Sequence, residues 1–252
     1  KANTTTSKYV WRLLKIKAAG EVCVLVTGGE GSDVGGYNLA LCNTLGSPVE
    51  TKQIQIEPLF VAMTDAFVVC ASHSSVIVWR YGKPSDRSGF GSVDTEKTFH
   101  IDGICDGDSS FINSKPSQHR KPKDPIAAID ACDKTLIVGL KSGTVLTFKL
   151  PDVALIHKCF IKSRPKALNL NCSGTKFTVI DASGVLSMFE VPVEGTIGGS
   201  NNEKELQTKL SPKFQRKDAW QSRWSLDDEN LLATMEKTKM FVWRNSEPEE
   251  PC

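Results

Sequence analysis

The chain carries almost no net charge: 31 Lys and Arg stand against 29 Asp and Glu, leaving +2 at neutral pH. That balance predicts neither nucleic-acid binding nor membrane attraction from composition alone. No apolar run approaches the ~18 residues of a membrane-spanning helix, and no signal-peptide pattern opens the sequence. The eight cysteines include no CxxC pair and the four histidines are scattered, so the usual zinc spacings are missing. The expectation is a cytosolic chain with reduced cysteines, in which Cys23, Cys42 and Cys70 serve as small hydrophobes inside strands. GxSxG, HExxH and Cys–His signatures are also missing, and with them the common hydrolase and protease chemistries.

Features that imitate a reactive site have simpler readings. Gly28–Gly36 is glycine-rich, but it lacks the lysine of a phosphate loop and no helix pattern follows it. It reads as a strand connection. Asp106, Asp108 and the Asp130–Asp133 stretch have no histidine at catalytic spacing and read as solvated turns and loops. His73 falls in a hairpin turn and His157 on an outer strand, both expected to be exposed. Nothing here calls for a metal or an organic cofactor.

What is present is a repeat. Asp227–Arg244 begins with an acidic turn, enters an apolar strand, turns through Glu236-Lys237-Thr238 and ends on a strand closed by Trp243. The layout recurs in Thr64–Arg80, Cys132–Lys149 and Ser173–Glu190. With Trp79, Phe148, Phe189 and Trp243 aligned, Ser142-Gly143 falls over Ser183-Gly184. Ser-Gly between two short apolar runs marks a hairpin, because glycine takes the positive φ of a tight turn. In Val145–Phe148, alternate residues face opposite ways and both faces are mainly apolar, as a sheet held between two others requires.

Around these hairpins lie further strands. Tyr9–Ile16, Glu21–Val26, Tyr37–Cys42 and Glu50–Ile56 make a first group, and Leu59–Met63 leads into the second hairpin. Lys97–Ile101, Asp152–Ile161, Ala167–Leu170 and Ala219–Trp224 supply the others. Residues 103–124 and 193–204 read as mobile insertions too polar to offset their ordering entropy, and 246–252 as a polar tail. A four-stranded unit repeating at ~40 residues is the period of a WD40-type blade. The fold expected is all-β: a WD40-like propeller with about five degenerate four-stranded blades, the last without an outer strand. Either Tyr9–Ile16 closes the ring or the chain is part of a larger, seven-bladed one, and the second reading is preferred. Arg80, Lys149, Glu190 and Arg244 stand where a WD dipeptide would place Asp. The buried Asp–His network of regular WD repeats is therefore expected to be missing.

Two sets of residues are singled out. Trp79, Phe148, Phe189, Trp220, Trp224 and Trp243 are expected to pack between blades. Lys115, Arg120, Lys121 and Lys123 lie in a basic loop without interleaved aromatics, which reads first as a solvated loop and second as a contact for an anionic lipid surface or an acidic partner.

The run DAWQSRWSLDDENLLATMEKTKMFVWRNSEPEEP, residues 218–251, resembles the end of the second propeller in the WD-repeat subunits of intraflagellar transport complex A. Leu39–Pro48, Pro58–Thr64, Asp133–Gly143, Leu150–Ile156 and Ile180–Leu186 extend the resemblance over nearly all of 37–251 outside the insertions. The resemblance implies that 1–252 is the second WD40-like propeller, or most of it, of a non-enzymatic scaffold. Its implied partners are other complex A subunits and ciliary membrane-protein cargo; the basic loop adds an anionic membrane surface as a partner, and the charge balance points to no nucleic acid. The implied setting is the cilium or flagellum, the basal body and the cytoplasm. The other reading is a peptide-binding propeller of a different coat or vesicle-trafficking complex.

Overall fold

In the computed structural model, residues 11–29, 36–81, 96–102, 122–192, 207–245 and 247–248 are described. They form five antiparallel sheets, arranged as the blades of the propeller that the repeat predicts. The first is β1 (Trp11–Ala19), β2 (Val22–Gly29), β3 (Tyr37–Asn43) and β4 (Pro48–Ile54). The second is β5 (Phe60–Met63), β6 (Phe67–Ala71), β7 (Ser75–Arg80) and β8 (Glu96–His100). The third is β9 (Ile126–Ala131), β10 (Thr135–Leu140), β11 (Thr144–Lys149) and β12 (Ala154–Phe160). The fourth is β13 (Pro165–Leu170), β14 (Lys176–Asp181), β15 (Leu186–Glu190) and, after β16 (Gln207–Lys209), β17 (Phe214–Arg216). The fifth is β18 (Ala219–Trp224), β19 (Leu231–Glu236), β20 (Lys239–Arg244) and β21 (Glu247–Pro248).

Each sheet is a meander, and the first strands of successive blades lie against one another: β1 on β5, β5 on β9, β9 on β13, β13 on β18. The Ser-Gly turns adopt the expected geometry, with Gly143 at φ 94° and Gly184 at φ 80°. At Gly143 the fit is closed as well, since a Cβ there would lie 2.4 Å from the Ile161 carbonyl oxygen. β11 alternates between its two faces as expected. Leu146 and Phe148 join the core shared with the second blade, while Val145 joins the core shared with the fourth.

Several details depart from expectation. The last blade does carry a fourth strand, although β21 pairs only Trp243 with Pro248 and Arg244 with Glu247. The polar tail therefore begins inside the fold. β16 adds to the third blade as a fifth strand, running parallel to β12. Asp130 is not in a turn: it lies in β9 and accepts the Leu170 backbone N–H at 2.7 Å. His157, on β12, is half-buried rather than exposed, whereas His73 is exposed as expected. The expected mobility of 103–124 and 193–204 falls almost wholly outside the described residues.

Candidate interaction surface

The four aligned aromatics occupy one structural position. Each is the next-to-last residue of its blade's third strand, and each faces the blade before its own. Trp79 packs with Val24, Val26 and Leu41 of the first blade. Phe148 meets Phe99 of the second blade, ring centroids 4.9 Å apart. Phe189 lies in the core with Ile137 and Val145 of the third blade. Trp243 meets Phe214 of the fourth blade at 4.7 Å, beside Met188. Trp224 joins that seam and donates its indole N–H to the Asn169 carbonyl at 3.2 Å.

Trp220 does not pack between blades. It is 54% exposed, and its indole N–H reaches the Lys237 carbonyl at 3.0 Å. The cause is a β-bulge. Ala219 pairs with Glu236 and Gln221 with Met235, leaving Trp220 as the extra residue. Strict alternation back from the buried Trp224 and Ser222 would have turned Trp220 inward, and the bulge reverses the phase there. The first strands of the first, third and fourth blades pair with the same kind of irregularity.

The seam between the fourth and fifth blades holds the polar group that sequence reasoning missed. Trp243 donates its indole N–H to Thr234 Oγ1 at 2.9 Å, and Thr234 donates to Glu236 Oε1 at 3.0 Å. Glu236, buried on β19, accepts two prongs from Arg216 of β17: Nε at 2.9 Å and Nη2 at 2.7 Å. The guanidinium also lies 4.8 Å from the Trp243 ring centroid and 5.4 Å from that of Phe241. Its hydrogen bonds to Glu236 hold the Arg216 pKa above the ordinary guanidinium range against the opposing effect of burial. The ring closes on itself: tryptophan to threonine to carboxylate to arginine, and back onto the tryptophan face. It satisfies the buried carboxylate and joins two blades without the Asp–His pair of regular repeats. The signal was in the sequence as alternation, since Leu232, Thr234 and Glu236 share one face of β19.

Outside this seam lies an open groove of ≈ 550 Å³, with Phe241 among its lining residues. Four cationic side chains line it (Arg216, Lys217, Lys237 and Lys239) against two carboxylates, Asp218 and Glu236. Both carboxylates are engaged, Glu236 by Arg216 and Asp218 by Lys237 at 3.2 Å. Of the basic-loop residues, Lys115, Arg120 and Lys121 lie outside the described residues, and Lys123 is exposed. Beside it Asp124 accepts from the Ser142 backbone N–H at 2.9 Å, fixing the end of the loop to the β10–β11 turn.

The model of the WDR35 second beta-propeller family matches residues 1–252. The chain belongs to that family. The match includes residues 1–36, which the resemblance noted in the sequence did not reach. WD repeat-containing protein 35 of Rattus norvegicus is 37% identical over 261 residues, covering 100% of this chain. The Mus musculus protein of the same name is 36% identical over 264 residues and 97% of the chain, and the Homo sapiens one 34% over 269 residues and 100%. The chain spans 22% of the length of each of these relatives. Among solved structures it is similar to Hsv2 of Kluyvelomyces marxianus, with a TM-score of 0.53 and 14% identity, covering 92% of this chain and 63% of that one. KlHsv2 with loop 6CD replaced by a Gly-Ser linker gives a TM-score of 0.51 at 10% identity, covering 94% of this chain and 79% of that one. At such identities the likeness speaks for the fold alone.

Proposed function

We propose that the chain works as a non-enzymatic scaffold propeller in a WDR35-type subunit of intraflagellar transport complex A. It supports retrograde ciliary transport and helps membrane proteins enter the cilium. The observation that carries this reading is the family match over residues 1–252. The fold is in keeping with it. The carboxylates Asp130 and Glu236 are both engaged across blade seams, Asp130 by the Leu170 N–H and Glu236 by Arg216. In this reading the five blades belong to a larger, seven-bladed second propeller. Its partners are the other complex A subunits and ciliary membrane-protein cargo, while Lys115, Arg120, Lys121 and Lys123 meet anionic membrane. The protein resides in the cilium or flagellum, at the basal body and in the cytoplasm.

Affinity purification of the tagged full-length protein from ciliated cells tests the proposal. Complex A subunits are expected to co-purify in stable proportion. Recovery of a different coat complex, with complex A subunits at background, would overturn it.

A further inference from the structure

The groove at the fourth–fifth seam has a strand edge for one wall. β21 covers β20 only at Trp243 and Arg244, and among the described residues no strand pairs with the outer edge from Lys239 to Val242. In an antiparallel ladder alternate residues turn their N–H and C=O groups toward such an edge, where an extended chain can pair with them. The other four blades show what fills this place, since each has a fourth strand of three residues or more: β4, β8, β12 and β17.

The walls also specify a composition. Lys217 and Lys239 are exposed at the groove and make no ion pair with any described carboxylate, whereas Arg216 and Lys237 are already paired. Lys239 shares the seam-side face of β20 with Phe241 and Trp243. On the opposite face lie Val242 and Met240, the latter 65% exposed. A strand added along this edge would alternate in the same way. Its residues on the seam side meet cations, and those on the other side meet Met240 and Val242.

We propose that this groove docks an extended acidic segment of a partner protein. The segment adds as a strand along β20 over Lys239–Val242, with carboxylates toward Lys217 and Lys239 and apolar side chains toward Met240 and Val242. The inference rests on reading the chain as an interaction domain, but it does not depend on which complex the chain joins.

The probe is a fluorescein-labelled octapeptide of alternating Glu and Val, titrated against the 252-residue chain by fluorescence anisotropy. Saturable, salt-sensitive binding is expected, and the matching Lys–Val peptide should not bind. Lys217→Glu with Lys239→Glu should weaken binding at least tenfold while the thermal midpoint stays unchanged. Should that pair unfold the chain, Lys217→Ser with Lys239→Ser is expected to give a smaller loss in the same direction. Methylating alternate backbone nitrogens of the peptide keeps its charge and removes its edge donors, so it should abolish binding. Equal affinity for the methylated peptide, or for the folded charge variants, would overturn the proposal. So would binding that appears only after residues 249–252 are removed, which would mean the groove is filled in cis. Sedimentation with phosphatidylserine vesicles that depends on Lys217 and Lys239, without peptide binding, would also overturn it in favour of a lipid surface. Co-purification with complex A persisting alongside any of these failures would sink this inference alone.

Discussion

Replacing Trp243 with alanine removes one of the two tryptophans at the fourth–fifth seam. The ring is 6% exposed and is packed by Phe214, Phe241, Met188 and Leu232. The void beside it is only ≈ 10 Å³, so the seam has little slack to absorb a large loss of volume. Truncating a buried aromatic typically costs ~3–5 kcal/mol, against the ~5–15 kcal/mol that holds an ordinary domain together. At roughly 2–4 °C per kcal/mol for a chain of this size, the melting point should fall by about 6–20 °C. The conservative variant separates volume from hydrogen bonding. Trp243→Phe keeps most of the packing but leaves Thr234 Oγ1 without its indole donor, a loss of ~1 kcal/mol. Arg244 is a useful neighbour because it points the other way, to an exposed pairing with Asp228. Arg244→Ala should cost under ~1 kcal/mol. Urea denaturation followed by far-UV circular dichroism ranks the three variants without relying on the lost fluorophore. A larger loss for Arg244→Ala than for Trp243→Ala would refute the packing argument, for it would place the strand phase one residue out.

Two further outcomes follow from single positions. Gly143→Ala should destabilise the third blade by more than ~1–2 kcal/mol, because positive φ and a 2.4 Å approach to the Ile161 oxygen act together. Gly46→Ala, at φ 75° with open space, carries only the first of these penalties, and equal melting points for the two variants would count against the steric account. Burial pushes the Asp130 carboxyl up to about 6, against the pull of the Leu170 and Ala131 N–H groups and the charges of Lys17 and Arg223. Between about pH 4 and pH 6 the folded chain therefore holds a proton that the unfolded chain has released. Stability should fall as pH rises through that window. Asp130→Asn keeps an acceptor for Leu170 and should flatten the slope of the urea midpoint against pH; an unchanged slope would refute the assignment.

The sequence carried most of the architecture because a blade is a local object. Its strands are neighbours in the chain, its turns need glycine, and its two buried faces leave a period-2 trace. The four closing aromatics fall into register along the sequence for that reason. Trp220 was misread because a bulge adds one residue without altering composition, and alternation has no means of counting it. Asp130 was misread because a carboxylate in a strand resembles one in a turn until a backbone N–H from another blade is found opposite. The Arg216–Glu236 pair spans 20 residues of chain and two blades, so neither residue's surroundings announced the other. β16 is three residues long and pairs with a strand well before it in sequence, leaving no periodicity to detect.

The closing aromatics give the assembly a direction. Each of the later blades carries a plug and the blade before it carries the socket, so the seams are not symmetric under reversal of the chain. A nascent chain makes sockets first: when Phe148 leaves the ribosome, the pocket around Phe99 has already been synthesised, and Trp243 follows Met188 and Phe214. From the second blade on, each hairpin thus meets its binding place as it emerges, with no need to wait for a distant segment. Shortening the chain from its C-terminal side uncovers a socket, a concave apolar pocket. Shortening it from the N-terminal side strips a plug of its cover and leaves an aromatic ring facing water.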